Sequence, residues 1–351
     1  MNKTKKFSIL LLAVFVLGGI SFFLSQCKSK TNDNRNDSDN QPSEIKNPPS
    51  EITAPDFNAD SAYHFVEQQV AFGPRIPGTP SQTKCATWIT DKLKTYTPTV
   101  YVQDLKVELW NHQMVPCINI IASFNPNEKK RILLCAHWDT RPWSDRDPVF
   151  PKKSFDGADD GGSGAAVLLE IARQLQIKKP NVGVDIVFFD VEDYGPPEWD
   201  QVSNKEEVNG YCLGTQEWAS EPHVKDYRAF YGILLDMVGA KDATFPQEGV
   251  SLQYAPTIVQ HVWDAANSLG YGNYFVYTKG PSIIDDHSFI NSINQTPTID
   301  IINLNSNSNY GFANHWHTQQ DNMSIIDKNT LKAVGVTVLQ VVYTEPIQQN
   351  Q

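Results

Sequence analysis

Five segments of this 351-residue chain place histidine or carboxylate side chains directly after apolar runs or within a glycine-rich turn. His137-Trp138-Asp139 follows the run ending at Ala136. Asp159-Asp160 sits inside Gly157-Ala158-Asp159-Asp160-Gly161-Gly162-Ser163-Gly164. Glu192-Asp193 follows Ile186-Val187-Phe188-Phe189-Asp190, and Asp236 ends Ile233-Leu234-Leu235. Asn314-His315-Trp316-His317-Thr318 completes the set. One neutral imidazole and two carboxylates hold a zinc ion while leaving its fourth position open for substrate. Open α/β sheets bind ligands outside the carboxyl ends of their strands. The pattern therefore predicts a zinc-dependent enzyme built on such a sheet.

The elements that must position these residues follow from periodicity. Phe57 to Phe72 reads as a helix, stopped by the turn chemistry of Gly73-Pro74-Arg75-Ile76-Pro77-Gly78. A second helix is expected around Lys84 to Leu93. Thr99 to Trp110 and Cys117 to Phe124 are β-rich and predict an antiparallel pair. Arg131 to Ala136 and Val184 to Phe189 are short continuous apolar runs, as in strands buried on both faces. Tyr231 to Leu235 and Pro297 to Ile302 are further strands. Ser163 to Leu175, Tyr211 to Trp218, Thr257 to Leu269 and Asn329 to Tyr343 read as helices. Strands alternate with helices, so the class is α/β: one domain with a central twisted, mixed, mostly parallel sheet flanked by helices. Three long loops, Asp139 to Phe155, Asp193 to Glu207 and Asn303 to Ala313, follow strand ends and should wall one cleft.

The first 26 residues are not fold. Lys3, Lys5 and Lys6 precede an apolar run from Ile9 to Leu24, an export signal. Leu24-Ser25-Gln26-Cys27 resembles a bacterial lipoprotein processing site, although Gln26 stands where a small residue is usual. Lipidation of Cys27 and a periplasmic-side membrane location, inner or outer, are expected. An uncleaved anchor or an ordinary signal peptide also fits, and all three place the domain outside the cytoplasm. Residues 27–55 read as a disordered tether, 56–346 as the zinc-dependent catalytic domain and 347–351 as a tail. A net charge of −11 excludes a duplex nucleic-acid partner, which wants a basic face. Cys85, Cys117, Cys135 and Cys212 show no Cys-x-x-Cys spacing, so a thiolate zinc site is not expected. Export would permit pairing, and burial as free thiols is the alternative.

The ordered series His-x-Asp, Gly-Ala-x-Asp, an acidic pair, a strand-ending Asp, Asp-His and a final His-Thr-x-x-Asp resembles the zinc aminopeptidase family. Its members share a phosphorylase/hydrolase-like fold, and they include the animal-type glutaminyl cyclases. The resemblance covers nearly all of the chain from Phe57 onward. It implies that Asp160, Asp193 and His317 ligate zinc, with Asp193 standing where the family usually has Glu. It implies that Glu192 is the general acid and base. His137 and Asp236 would hold a second zinc in the two-metal aminopeptidases, yet persist in the one-zinc cyclases, with Asp139 holding the His137 ring in either case.

The features that lean toward the cyclases are Trp316 before His317, Trp199 after the acidic pair, and Asp285-Asp286-His287. The resemblance implies a hydrogen bond from Asp285 to Glu192. It also implies a pocket walled by Trp199 and Trp316, with Ile283 sharing the face of Asp285 if the chain is extended there. Phe312 and Asn314 are further wall candidates, and His315 is not expected to be a ligand. His112, His223 and His261 fall outside every motif. The function so implied is conversion of N-terminal Gln of peptides or exported proteins to pyroglutamate with release of ammonia, by a monomer carrying one zinc. A two-zinc aminopeptidase and an inactive binding lipoprotein are the alternatives.

Overall fold

The computed structural model describes residues 53–200, 210–308 and 310–346. The expected signal segment, Cys27, the tether up to residue 52, the end of the loop after Asp193 and the tail at 347–351 lie outside the described residues. Two helices open the domain. Helix α1 (Ala59–Ala71) starts where the Asn58 side chain accepts from the Ser61 amide, and α2 (Pro80–Lys94) starts at Thr79 with Pro80 in its first turn. A side-chain acceptor and an early proline satisfy or remove amides that a helix start leaves unpaired.

The rest of the chain alternates as predicted. It runs β1 (Val100–Glu108), β2 (Met114–Phe124), β3 (Arg131–His137), α3 (Gly162–Ile177), β4 (Gly183–Phe189), α4 (Leu213–Ser220) and β5 (Tyr231–Asp236). Then come β6 (Phe245–Gln247), α5 (Gly249–Tyr254), α6 (Pro256–Ser268), β7 (Phe275–Lys279), a short α7 (Asp286–Phe289) that runs into one π turn, β8 (Thr298–Ile302) and α8 (Lys328–Thr344). The main sheet has the order β1-β2-β4-β3-β5-β8. The pairings β4–β3, β3–β5 and β5–β8 are parallel, and β1–β2 and β2–β4 are antiparallel.

Strand alternation divides the core into two faces. Ile132, Leu134, Ala136, Ile186, Phe188, Ile233 and Leu235 pack toward α1, α2, α3, α6 and α8. Leu133, Cys135, Val187, Phe189 and Leu234 point the other way, onto Trp218 of α4, Tyr227 and Ile290. Because β3, β4 and β5 are adjacent and their tips coincide, residues at their carboxyl ends are forced together. His137 is in register with Phe189, three residues before Glu192.

Two features differ from the sequence expectations. β6 and β7 pair into a small second sheet. β6 is only three residues long and carries Pro246, so it shows no strand periodicity to read. The segment read as helical from Tyr211 becomes helical only at Leu213, after Cys212 with φ +55°. Of the two states open to the cysteines, the structure shows burial: Cys85, Cys117, Cys135 and Cys212 are all buried free thiols. No helix among the described residues is long and apolar enough to cross a membrane.

Candidate active site

Three strand tips and two turns build the site. His137 ends β3, and the Asp139 carboxylate lies 3.3 Å from its Nδ1. The same carboxylate accepts from the backbone amides of Glu192 at 3.1 Å and Asp193 at 3.3 Å. Asp139 thus ties the exit of β4 to the exit of β3. Asp236, the last residue of β5, places Oδ1 3.3 Å from His137 Nε2. Asp160 arrives on the turn before α3. That turn needs Gly161 at φ +82°, and a Cβ there would sit 2.5 Å from the Asp139 carbonyl oxygen. The Asp321 carboxylate accepts from the amides of Asp159 and Asp160 at 2.7 and 3.2 Å and holds the turn in place.

Asp160 divides its two oxygens. Oδ1 lies 3.1 Å from His137 Nε2, and Oδ2 lies 3.5 Å from His317 Nε2. Asp193 Oδ2 is 2.9 Å from the same His317 nitrogen. Donor atoms of Asp160, Asp193 and His317 all fall within 4.8 Å of one another, and so do those of His137, Asp160 and Asp236. The two sets differ in satisfaction. Asp160 Oδ2 and Asp193 Oδ2 are buried with no hydrogen-bond partner. Buried polar atoms without partners are rare and need a reason. Two unpartnered carboxylate oxygens facing one imidazole nitrogen fit the donor set and the charge a zinc ion requires. Burial alone would lower the His317 pKa, but Asp193, Asp145 and Asp160 outweigh it and carry it up to about 10, so the surroundings favour positive charge.

Behind these donors lies a pair that sequence reading passed over. Arg141 donates from Nη1 to Asp193 Oδ1 at 3.0 Å. Its Nε and Nη2 donate to the two oxygens of Asp145 at 3.0 and 2.6 Å. Asp145 Oδ1 also lies 3.5 Å from His317 Nδ1. Neither residue ends an apolar run, which was the signal that exposed the others.

Backbone strain collects here. Val191, Cys212, Met237 and His317 have φ between +48° and +55°. The left-handed region is costly for such side chains, above all for β-branched valine, and persists where surroundings enforce it. Each of the four lies at or beside Glu192, Asp236 or the final histidine.

A cleft of about 590 Å³ opens above these groups, lined by Asp160, Glu192, Asp193, Asp236, Asp285 and His317 among others. Each of the three long loops contributes to it, through Arg141 and Arg146, Glu198, and Phe312. Trp316 stacks on His317 with ring centroids 3.8 Å apart and on Phe312 at 4.4 Å. Ile283 lines the same wall. Trp199 does not. It is 42% exposed and packs edge-on against Trp143, outside the cleft lining, so its expected place as a pocket wall is corrected. Its neighbour Glu198 lines the cleft instead.

Glu192 accepts from the Cys212 thiol at 3.3 Å. Donor atoms of Glu192, Cys212 and Asp285 lie within 4.8 Å of one another. Asp285 Oδ1 accepts from the Asp286 amide, and the Asp285 carboxylate lies close enough to Glu192 to face it across the cleft. Burial holds the Glu192 carboxyl well above its ordinary pKa, with Asp193 and Asp285 adding to the rise against the pull of His137. A carboxyl raised in this way holds a proton more readily than an ordinary one, which suits a group that must both take and give a proton. His315 Nε2 lies 2.8 Å from Asp159 Oδ2 and belongs to neither donor set. Asn314, His112 and His261 are exposed, and His223 packs among Tyr101, Trp218 and Tyr227.

The model of peptidase family M28 matches residues 119–342. The chain belongs to peptidase family M28. Among solved structures it is similar to a Zn-dependent exopeptidase from Parabacteroides distasonis, at 52% identity and a TM-score of 0.80 over 83% of this chain and 99% of that one. It is similar to Tannerella forsythia glutaminyl cyclase, at 49% identity and a TM-score of 0.80 over 83% and 100%. A glutaminyl-peptide cyclotransferase of Gloydius blomhoffii is 26% identical over 65% of each chain. The match therefore spans just under two thirds of that relative's length.

Proposed function

We propose that this M28-family chain is a zinc-dependent glutaminyl-peptide cyclotransferase. The observation that carries the reading is the division of Asp160. One oxygen and Asp236 are both within 3.3 Å of His137 Nε2, while the partner-free oxygens converge only on His317. That arrangement suits one ion on Asp160, Asp193 and His317. Bound there, zinc supplies Lewis acidity toward the side-chain amide carbonyl of the substrate. The relatives named as glutaminyl cyclases support the same activity.

The α-amine of an N-terminal Gln attacks its own side-chain amide carbon. A new C–N bond closes the lactam ring, the bond to the amide nitrogen breaks, and ammonia leaves. Asp236 orients the amine by accepting a hydrogen bond. Glu192 takes a proton from the attacking nitrogen and returns one to the departing ammonia. Trp316, Phe312 and Ile283 hold the flat Gln side chain against the site. Nucleophile and electrophile share one residue, so fixing their geometry supplies an effective molarity on the order of 10⁵ M or more without an activated water.

Peptides and exported proteins beginning with Gln are the substrates in this reading, and the protein acts as a monomer. Lipidation at Cys27 on the periplasmic side, supported by the N-terminal sequence alone, keeps it beside them. A Gln-initiated peptide incubated with the zinc-loaded protein should release one ammonia per peptide consumed. Consumption without ammonia would refute cyclisation. A two-zinc aminopeptidase using His137, Asp160 and Asp236 would become the reading if free amino acid appeared instead.

A further inference from the structure

Asp193 is one methylene shorter than the glutamate that the family resemblance places at this position, and it has to be held if a single oxygen is to reach an ion. Arg141 does this from the side. Its Nη1 occupies Asp193 Oδ1, so Oδ2 is left to face His317 and Asp160. Arg141 is itself fixed by a two-point contact with Asp145, a planar guanidinium on a planar carboxylate. Asp145 Oδ1 then reaches His317 Nδ1, which commits Nε2 to the ion side. All four side chains are at most 6% exposed. Charge also balances. Arg141 neutralises Asp145, so Asp160 and Asp193 are left with the two negative charges that match a divalent cation.

We propose that Arg141 and Asp145 form a preset clamp that holds Asp193 and His317 in ligating orientation, so that metal affinity depends on a loop pair that never touches the ion. The clamp rests on the metal assignment made above, not on the identity of the reaction. Both residues are positioning residues, and their loss acts through Asp193 and His317.

Zinc affinity, measured by competition with a chromophoric chelator, tests it on the full-length domain and on Asp145→Asn and Arg141→Lys. Asp145→Asn keeps the shape and removes the charge, and Arg141→Lys keeps the charge and removes the fork. Each should weaken zinc binding by about 10–100-fold, the usual cost of losing an outer partner of a metal ligand. Each should also shift the visible spectrum of the cobalt-loaded protein. Zinc affinity within threefold of the parent for either variant would overturn the clamp. So would weakened binding accompanied by loss of far-UV circular dichroism in the metal-free variants, since the pair would then be supporting the fold. If the parent bound no zinc, the metal assignment itself would fall. If it bound zinc but released no ammonia from a Gln peptide, only the cyclase reading would fall.

Discussion

At the residue scale, the proposed reaction rests on Asp160, Glu192 and Trp316. Glu192 is the group that must both accept and donate a proton, so Glu192→Gln should cut kcat by about 10²–10⁴-fold, the usual worth of general acid–base catalysis, while zinc content stays at the parent level. Full activity in that variant, measured by ammonia release, would remove Glu192 from its role. Trp316 forms the wall beside His317, and Trp316→Ala should lower kcat/KM about 5- to 13-fold, as roughly 1–1.5 kcal/mol of ring contact is lost. An unchanged kcat/KM would put the substrate elsewhere. The residues at this scale that sequence made legible are those on strand tips, because an apolar run that stops at His137 or Asp236 announces its own end. Arg141 and Asp145 were not legible, because loop residues carry no periodicity and the groups they hold, Asp193 and His317, lie far along the chain. Trp199 shows the reverse fault. A residue type suited to a pocket stood close to the acidic pair, but its ring turned to Trp143 on the rim.

At the element scale, close approach of helix to strand is what brings Asp160 to Asp236. Gly164 lets α3 sit against β5, since a Cβ there would lie 2.2 Å from the Leu235 carbonyl oxygen. Gly164→Ala should therefore cost roughly 1–3 kcal/mol of folding stability, as overpacking does, read from urea unfolding. Glu248 joins α5 to the loop carrying Ile283. It accepts from the amides of Val250, Ser251 and Ile283 and lies 3.1 Å from His287 Nε2. Burial would raise its pKa, but His287 and the backbone donors outweigh burial and bring it down to about 2. A lowered carboxylate pKa stabilises the fold above its unfolded value, near 4.5, and loses that contribution as pH falls toward 2. Glu248→Gln should thus flatten the acid limb of stability between about pH 4.5 and 2. An unaltered acid limb would contradict this. Helices and buried strands were legible because α1, α3 and α8 repeat apolar residues at the helical period, while β3 to β5 are short continuous apolar runs. β6 and β7 were not, because three and five residues with one proline and an exposed edge carry too little pattern.

For the whole molecule, the site is a joint where β3, β4, β5 and three loops meet, so the metal ion should stabilise the fold as well as the reaction. Chelation should lower Tm and abolish activity, and added zinc should restore both; zinc at 1,000 times its Kd adds about 4 kcal/mol of stability. A Tm indifferent to chelation would mean that the donors are assembled without holding an ion. The central claim is the reaction, and the most direct measurement is the product mass from a Gln-initiated and a Leu-initiated peptide incubated in parallel with the zinc-loaded domain. Loss of ammonia from an otherwise intact Gln peptide, with the Leu peptide untouched, is the predicted result. Free leucine from the second peptide, with no cyclised product from the first, would contradict the account and move the second ion onto His137 and Asp236.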